Sequence, residues 1–390
     1  MPMPFSSPDD VRPEVAAFEP YEPGLSIEDI RRRYHLERVI KMASNENPLG
    51  VSPAVRAAIQ DNAASAFRYP QAGNPRLVEA LAAHLGVKPA RIFVGNGSDE
   101  VIDLLFRVRA VPGVHNAVAF RPCFGLYVTQ ARLAGVELRR APLNADFSFN
   151  FDSLLEQVDA NTTLVFVTSP DNPSGRLAAA DDILRVARAL PPACLLVVDE
   201  AYIDFAGIDC ADKKNSLLCH LGEAPNLALL RTFSKVYGLA GLRVGYGILP
   251  PRLADYMRRV RLPFSVNLLG EQAALAALKD EPFRSLTQRM TAEGRAALSE
   301  GLRALGCTVL PSHANFLMFA PPEDKEGKGD KPDARALHQA LLERGIIVRA
   351  LAAYQLPGWL RISVGTADEN RQFLAECADI LRHYPARSQA

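Results

Sequence analysis

The chain carries a series of short runs that are apolar on both faces, and this constrains its fold more than any other feature. Arg91-Ile-Phe-Val94, His115-Asn-Ala-Val-Ala-Phe120, Thr163-Leu-Val-Phe-Val-Thr168, Cys194-Leu-Leu-Val-Val198 and Leu227-Ala-Leu-Leu230 read as strands. A strand with one wet face alternates apolar and polar residues; these do not, so both faces must be covered. Helical patterns over residues 98–108 and 124–134 follow the first two runs. Strand–helix alternation of this kind predicts an α/β sheet joined by right-handed crossovers. After Pro263 the texture changes. A long helical pattern over residues 282–305 leads to further strands at 307–310, 315–319, 346–348 and 360–364, with helices at 334–344 and 367–382. With 390 residues the chain exceeds one ordinary domain, and the change of texture places a boundary near residues 270–290.

Charge and cysteine usage narrow the partners. Lysine plus arginine equal aspartate plus glutamate at 44 each, which gives no electrostatic case for nucleic acid or an anionic membrane. The cysteines at 123, 194, 210, 219, 307 and 377 form no Cys-x-x-Cys pair, and the histidines show no metal-ligand spacing. We therefore expect no metal. A reducing, cytoplasmic setting fits the cysteines, and no apolar run reaches membrane-spanning length.

Four segments fall where loops leave strand ends, the usual ligand side of an open α/β sheet. Arg231-Thr-Phe-Ser-Lys-Val-Tyr-Gly-Leu-Ala-Gly-Leu-Arg243 puts Lys235 directly after Ser234, with a fixed cation eight residues on. A lysine whose pKa is depressed can hold an aldehyde as a Schiff base, while a hydroxyl and a guanidinium grip a phosphate. The cofactor needing both is pyridoxal 5′-phosphate. Gly95-Asn-Gly-Ser-Asp-Glu100 offers backbone amides and a helix start to a phosphate; an N-capped turn with Ser98 or Asp99 as cap is an equal reading. Ser169-Pro-Asp-Asn-Pro-Ser-Gly175 would present Asn172 rigidly, or be a tight turn and nothing more. In Val197-Val-Asp-Glu-Ala-Tyr202, a carboxylate after a β-branched run is costly unless it meets a cation, such as a pyridinium nitrogen. A helix cap or a structural ion pair would also account for Asp199.

The ordered set Asn172-Pro-Ser-Gly, Asp199-Glu-Ala-Tyr202, Ser234-Lys235 and Arg243 resembles the fold-type I aminotransferases. Tyr21-Glu-Pro-Gly24, Ser44-Asn-Glu-Asn-Pro48, Arg68-Tyr-Pro70 and Leu360-Arg-Ile-Ser-Val-Gly-Thr366 narrow the resemblance to the histidinol-phosphate aminotransferases, over nearly the whole chain. The resemblance implies an N-terminal arm (1–40) joining a small C-terminal domain (281–390), and a large cofactor domain (41–280) around a mostly parallel seven-stranded sheet. It implies Lys235 as Schiff-base lysine and proton shuttle, Asp199 on the ring nitrogen, and Asn172 and Tyr202 on the ring hydroxyl. Ser234, Arg243 and the amides of Gly97, Ser98 and Asp99 would hold the phosphate, and Phe124 would lie against the ring. Tyr69 matches a tyrosine that reaches the phosphate from a partner subunit, implying a homodimer with shared sites. Arg361 would fork a substrate carboxylate, and Tyr21, Asn45 and Arg349 would also face substrate.

The implied reaction moves an amino group between glutamate/2-oxoglutarate and imidazole acetol phosphate/histidinol phosphate. Two positions depart from the pattern: Phe124 replaces a common tyrosine, and Asp171 adds negative charge beside the cofactor. An aromatic amino-acid aminotransferase and a threonine-phosphate decarboxylase of the same fold remain alternatives. A cofactor-bound regulator would carry a DNA-binding domain, for which the stretch before Tyr21 has neither length nor charge.

Overall fold

Each of the strongly apolar runs becomes a strand in the computed structural model, which describes residues 7, 9–16, 18, 26–207, 216–323 and 331–384. The Tyr21–Gly24 motif and residues 324–330 lie outside the described residues. In chain order the strands are β1 (Ile40–Lys41), β2 (Ile92–Asn96), β3 (Asn116–Arg121), β4 (Glu137–Pro142), β5 (Thr162–Thr168), β6 (Leu195–Asp199), β7 (Leu227–Thr232) and β8 (Val244–Ile248), then β9 (Thr308–Val309), β10 (Phe316–Ala320), β11 (Ile346–Ile347), β12 (Arg349–Ala350) and β13 (Leu360–Ser363).

β2 to β8 form one seven-stranded sheet in the order β2-β8-β7-β6-β5-β3-β4. Pairing is parallel from β7 through β6, β5 and β3 to β4, and antiparallel where β8 lies between β2 and β7. Successive strand residues enter opposite cores. Val165, Val167, Leu196 and Val198 join one apolar cluster, whereas Leu164, Phe166, Leu195 and Val197 join the other. That two-residue period is why these runs contain no polar alternation. Burying each such side chain contributes about 1.5–3 kcal/mol.

Apolar pattern alone reveals neither the largely polar β4 nor β8, whose Val244-Gly-Tyr-Gly-Ile248 carries two glycines. Gly245 is required: a Cβ there would stand 2.2 Å from the Ser98 backbone nitrogen and 2.9 Å from the Gly97 Cα.

The second sheet is antiparallel, in the order β12-β13-β10-β9. Helices Glu281–Ala304, Ala334–Glu343 and Ala367–His383 contribute to its apolar cluster or pack at its edges. The last helix opens on a capping box between Thr366 and Glu369, which satisfies two first-turn donors reciprocally. The N-terminal segment belongs with this lobe. β1 pairs in parallel with β11, Ile40 against Ile346, and Ile30 of helix Ile27–Tyr34 clusters with Leu342 and Ile347. Helix Glu281–Ala304 also holds the large lobe, since Gln288 Nε2 donates to the Asp204 carbonyl at 2.6 Å.

Candidate active site

The sheet register brings the chemistry together. Thr168 of β5 and Asp199 of β6 are direct partners, and Thr232 of β7 faces Gly245 of β8, which faces Gly95 of β2. Because β8 runs antiparallel to both β2 and β7, those two strands end on one edge of the sheet. The loops after residues 96, 168, 199 and 232 therefore open into one cleft of about 260 Å³.

Phe124, Asn172, Asp199, Tyr202, Lys235 and Arg243 line that cleft. So do Gly97, Ser98, Asp99 and Ser234. These ten positions run from residue 97 to residue 243, and their convergence is the work of the strand order.

Lys235 stands half-buried with its Nζ 5.5 Å from the Tyr202 ring centre. Burial, and then the Arg361 cation, pull its amine down to about 8. Asp199 is 3% exposed. Burial pushes its carboxyl up to about 6, against a hydrogen bond from Tyr127 and the backbone N–H of Ala201. Both shifts have one origin: each group loses hydration on the charged form. An amine available as free base thus faces the same cleft as a carboxyl held by neutral donors.

At the other end of the cleft, helix Gly97–Arg109 begins without a side-chain cap. Neither Ser98 nor Asp99 caps it, so the alternative reading of that motif as a plain capped turn does not apply. Gly97 has φ +72°, and a Cβ on it would meet Arg243 Nη2 at 2.6 Å. Asp99 Oδ2 accepts from that same Nη2 at 2.7 Å. A helix start, a hydroxyl at Ser234 and a guanidinium make a cradle for a small anion.

Arg361 comes from β13 in the small lobe yet is only 6% exposed. Its Nη1 donates to Asn172 Oδ1 at 2.5 Å and its Nη2 to the Ala43 carbonyl at 2.9 Å. Its Nε is buried with no hydrogen-bond partner among the described residues. Arg349 of β12 is the direct cross-strand partner of Arg361, so the two guanidinium stems leave the same face of the sheet.

The expectations for Arg349 and Arg361, for Asn45 and for Asp171 meet a different geometry, and neither arginine is among the residues that line the cleft. Asn45 does not line the cleft; its side chain is engaged with Tyr202 and Ser363 behind the wall. Asp171 is 3% exposed, and its carboxylate accepts from the Ser174 hydroxyl at 2.5 Å and backbone N–H at 3.1 Å. It closes its own loop, and burial pushes its carboxyl up to about 6, so it does not present the added charge to the cleft that its position suggests. Tyr69 is 81% exposed and stacks on Phe264 at 4.8 Å, away from the cleft of its own chain. Tyr21 lies outside the described residues.

Sequence reasoning missed Tyr127, Thr168, Thr232, Ser44 and Glu46. Tyr127 is three residues after Phe124 in helix Gly125–Leu133 and so shares its face, a signal that was available. Glu46 lines the cleft and pairs with Lys41 at 3.1 Å.

A two-lobed α/β fold with this cleft at its strand ends is that of the class I and II aminotransferases, and the chain belongs to that family, whose pattern matches residues 37–376. Over 379 residues it is 60% identical to the histidinol-phosphate aminotransferase of Nitratidesulfovibrio vulgaris, covering 97% of this chain and 98% of that protein. It is 56% identical to that of Oleidesulfovibrio alaskensis, over 95% of each. Within the class, then, the chain is a member of the histidinol-phosphate aminotransferases. The crystal structure of histidinol-phosphate aminotransferase from Sinorhizobium meliloti in complex with pyridoxal-5′-phosphate matches with a TM-score of 0.85 at 28% identity, over 97% of this chain and all of that one.

Proposed function

We propose that the cleft binds pyridoxal 5′-phosphate and transfers an amino group between glutamate/2-oxoglutarate and imidazole acetol phosphate/histidinol phosphate, a step of histidine biosynthesis. The observation that carries this is the pairing, in one cleft, of an amine lowered to about 8 with a buried carboxyl raised to about 6.

The residues fit that cofactor. Asp199 is bonded only to neutral donors among the described residues, so a pyridinium N–H would supply the cation its burial calls for. The helix start, which no side chain caps, offers the Ser98 and Asp99 amides to phosphate oxygens, while the Gly97 amide donates to the Arg243 carbonyl at 3.0 Å. When bound, the cofactor supplies a conjugated ring that takes up the electron pair released at the substrate Cα. Lys235 is the group of this chain that holds the cofactor aldehyde and carries the Cα proton. Asn172 and Tyr202 orient the ring oxygen, Phe124 covers the ring face, and Ser234 with Arg243 fixes the phosphate.

Two chemically different substrates must use one pocket. Arg361 would turn its guanidinium to a glutamate carboxylate, exchanging the contacts it now makes with Asn172 and the Ala43 carbonyl. Histidinol phosphate has no carboxylate, and Arg349 with Tyr21 would take its phosphate. Tyr69 would complete the phosphate site of a partner subunit, which makes a homodimer the working unit. Its exposed stacking on Phe264, beside exposed Phe67 and Leu262, supports that reading. We also propose the division into an arm (1–40), a large domain (41–280) and a small domain (281–390), and a cytoplasmic location. Among the described residues no helix is long and apolar enough to cross a membrane.

The test is a substrate panel on purified protein, following the visible absorbance of the cofactor. Half-reactions with glutamate and histidinol phosphate are expected. Turnover of phenylalanine in preference to histidinol phosphate, or carbon dioxide release, would replace this reading with one of its alternatives.

A further inference from the structure

Asn45 adopts φ +55°, is 1% exposed, and belongs to neither regular lobe core. A non-glycine residue held in the left-handed region costs on the order of 1 kcal/mol, and asparagine tolerates it better than most. Such a residue persists where the surroundings fix it. Here four hydrogen bonds do so.

The segment before it is attached to the small lobe. Ser363 N donates to the Met42 carbonyl at 2.8 Å, Arg361 Nη2 to the Ala43 carbonyl, and Asn315 Nδ2 to the Asn45 carbonyl at 3.1 Å. Asn45 N donates to Ser363 Oγ at 2.8 Å. The Ser363 hydroxyl donates in turn to Asn45 Oδ1 at 3.0 Å. The Ser363 hydroxyl already accepts from Asn45 N and has a proton to give, so Oδ1 is assigned as its acceptor and Nδ2 as the end directed at Tyr202 Oη, 3.1 Å away.

Tyr202 follows β6 of the large lobe, yet two of its side-chain contacts reach β10 of the small lobe and the segment hydrogen-bonded to it. Its ring meets Phe316 of β10 edge-on at 5.1 Å, and its hydroxyl accepts from Asn45. A phenol has one proton to give. Because Asn45 presents a donor, that proton cannot go to Asn45 and is left for the cleft, which Tyr202 lines.

The geometry points to Asn45 as a positioning residue that aims the Tyr202 hydroxyl proton into the cleft and ties that aim, through Ser363, to the seating of the small lobe. The inference rests on the cofactor reading above. It makes the lobe that supplies Arg361 also the lobe that sets the hydrogen bond to the ring oxygen. Substrate capture and cofactor tuning then share one element.

The test is the pH midpoint of the visible absorbance of cofactor-loaded protein. A hydroxyl donating to the ring oxygen weakens that oxygen's hold on the proton shared with the lysine nitrogen, so losing the donor raises the midpoint. Tyr202→Phe raises it. Asn45→Gly removes the side chain but keeps the left-handed backbone accessible, and Ser363→Ala removes the bond that fixes the amide. Each is expected to raise the midpoint by about half to one pH unit. Neither adds to the shift in a Tyr202→Phe background. An unchanged midpoint in Asn45→Gly, or a shift that adds fully to that of Tyr202→Phe, overturns the proposal. If Asn45→Gly fails to fold, Ser363→Ala decides by the same two criteria. Failure of the cofactor reading looks different: native protein given pyridoxal phosphate would develop no visible band dependent on Lys235.

Discussion

The Tyr127 hydroxyl donates to Asp199 Oδ2 at 2.9 Å while lying 2.8 Å from Thr168 Oγ1. Since the phenol gives its proton to the carboxylate, Thr168 must donate to the phenol oxygen. The three side chains form a hydrogen-bonded chain from Thr168 through Tyr127 to Asp199 at the cleft wall. Burial, then the nearby Asp199 charge, holds the Tyr127 phenol well above its ordinary range, so it remains a donor at every working pH.

Tyr127→Phe keeps the ring that stacks on Phe166 at 4.5 Å and removes only this donor. Loss of a hydrogen bond to a charged group costs about 1.5–3 kcal/mol. We expect cofactor retention to weaken by roughly tenfold or more, read by equilibrium dialysis against pyridoxal phosphate, with native far-ultraviolet circular dichroism.

Asp199→Asn separates stability from function. Its carboxyl rises from 3.8 to about 6 on folding, so between those pH values the folded chain holds a proton that the unfolded chain has released. Stability therefore falls as pH rises through that window, and the cost, about 3 kcal/mol at most, persists above it. Cofactor-free Asp199→Asn should unfold at a higher temperature than the parent at pH 8 and show no gain at pH 4. Transamination should fall by at least a hundredfold. An unchanged unfolding temperature at pH 8 would mean the carboxylate is already compensated.

Arg361→Lys retains the charge and loses the planar fork. The expected result is a KM for glutamate raised about 10- to 100-fold, with a smaller change for histidinol phosphate, which carries no carboxylate. Equal losses for both substrates in steady-state kinetics would instead point to the broken Asn172 contact.

Tyr69→Ala and Lys235→Ala should each be inactive alone. If Tyr69 serves a neighbouring subunit, mixing the two variants under exchange conditions creates hybrid dimers with one intact site. Activity absent from either parent should then appear. Its absence, with hybrid dimers confirmed by mass, would confine Tyr69 to a surface role.

Legibility in the sequence followed the strength of local signals. β5 and β6 are apolar throughout because clusters pack on both sides, and a run such as Leu164–Val167 needs no tertiary knowledge to read. β8 is hidden because glycines at 245 and 247 answer to neighbouring backbone and side chains rather than to strand propensity. Lys235, Asp199 and Arg243 were legible because their chemistry is unusual beside a strand end. Asn45 was legible as a motif member but not in its role. Its partners at 202, 315 and 363 lie far off in sequence, and its left-handed backbone leaves no compositional trace. Asp171 misled for a related reason: a charge in a motif says nothing of where the side chain turns, and Ser174 three residues on draws it into the loop.

The contact of Gly245 with the opening turn at 97–98 is main chain against main chain. Nothing there can be adjusted by choosing a bulkier or smaller group, since even a methyl would separate the two segments. The end of the groove built on that contact is thus fixed in position by the fold itself. Divergence toward new substrates must proceed from the rest of the lining, where Ser44, Glu46 and Phe124 are side chains that mutation can exchange.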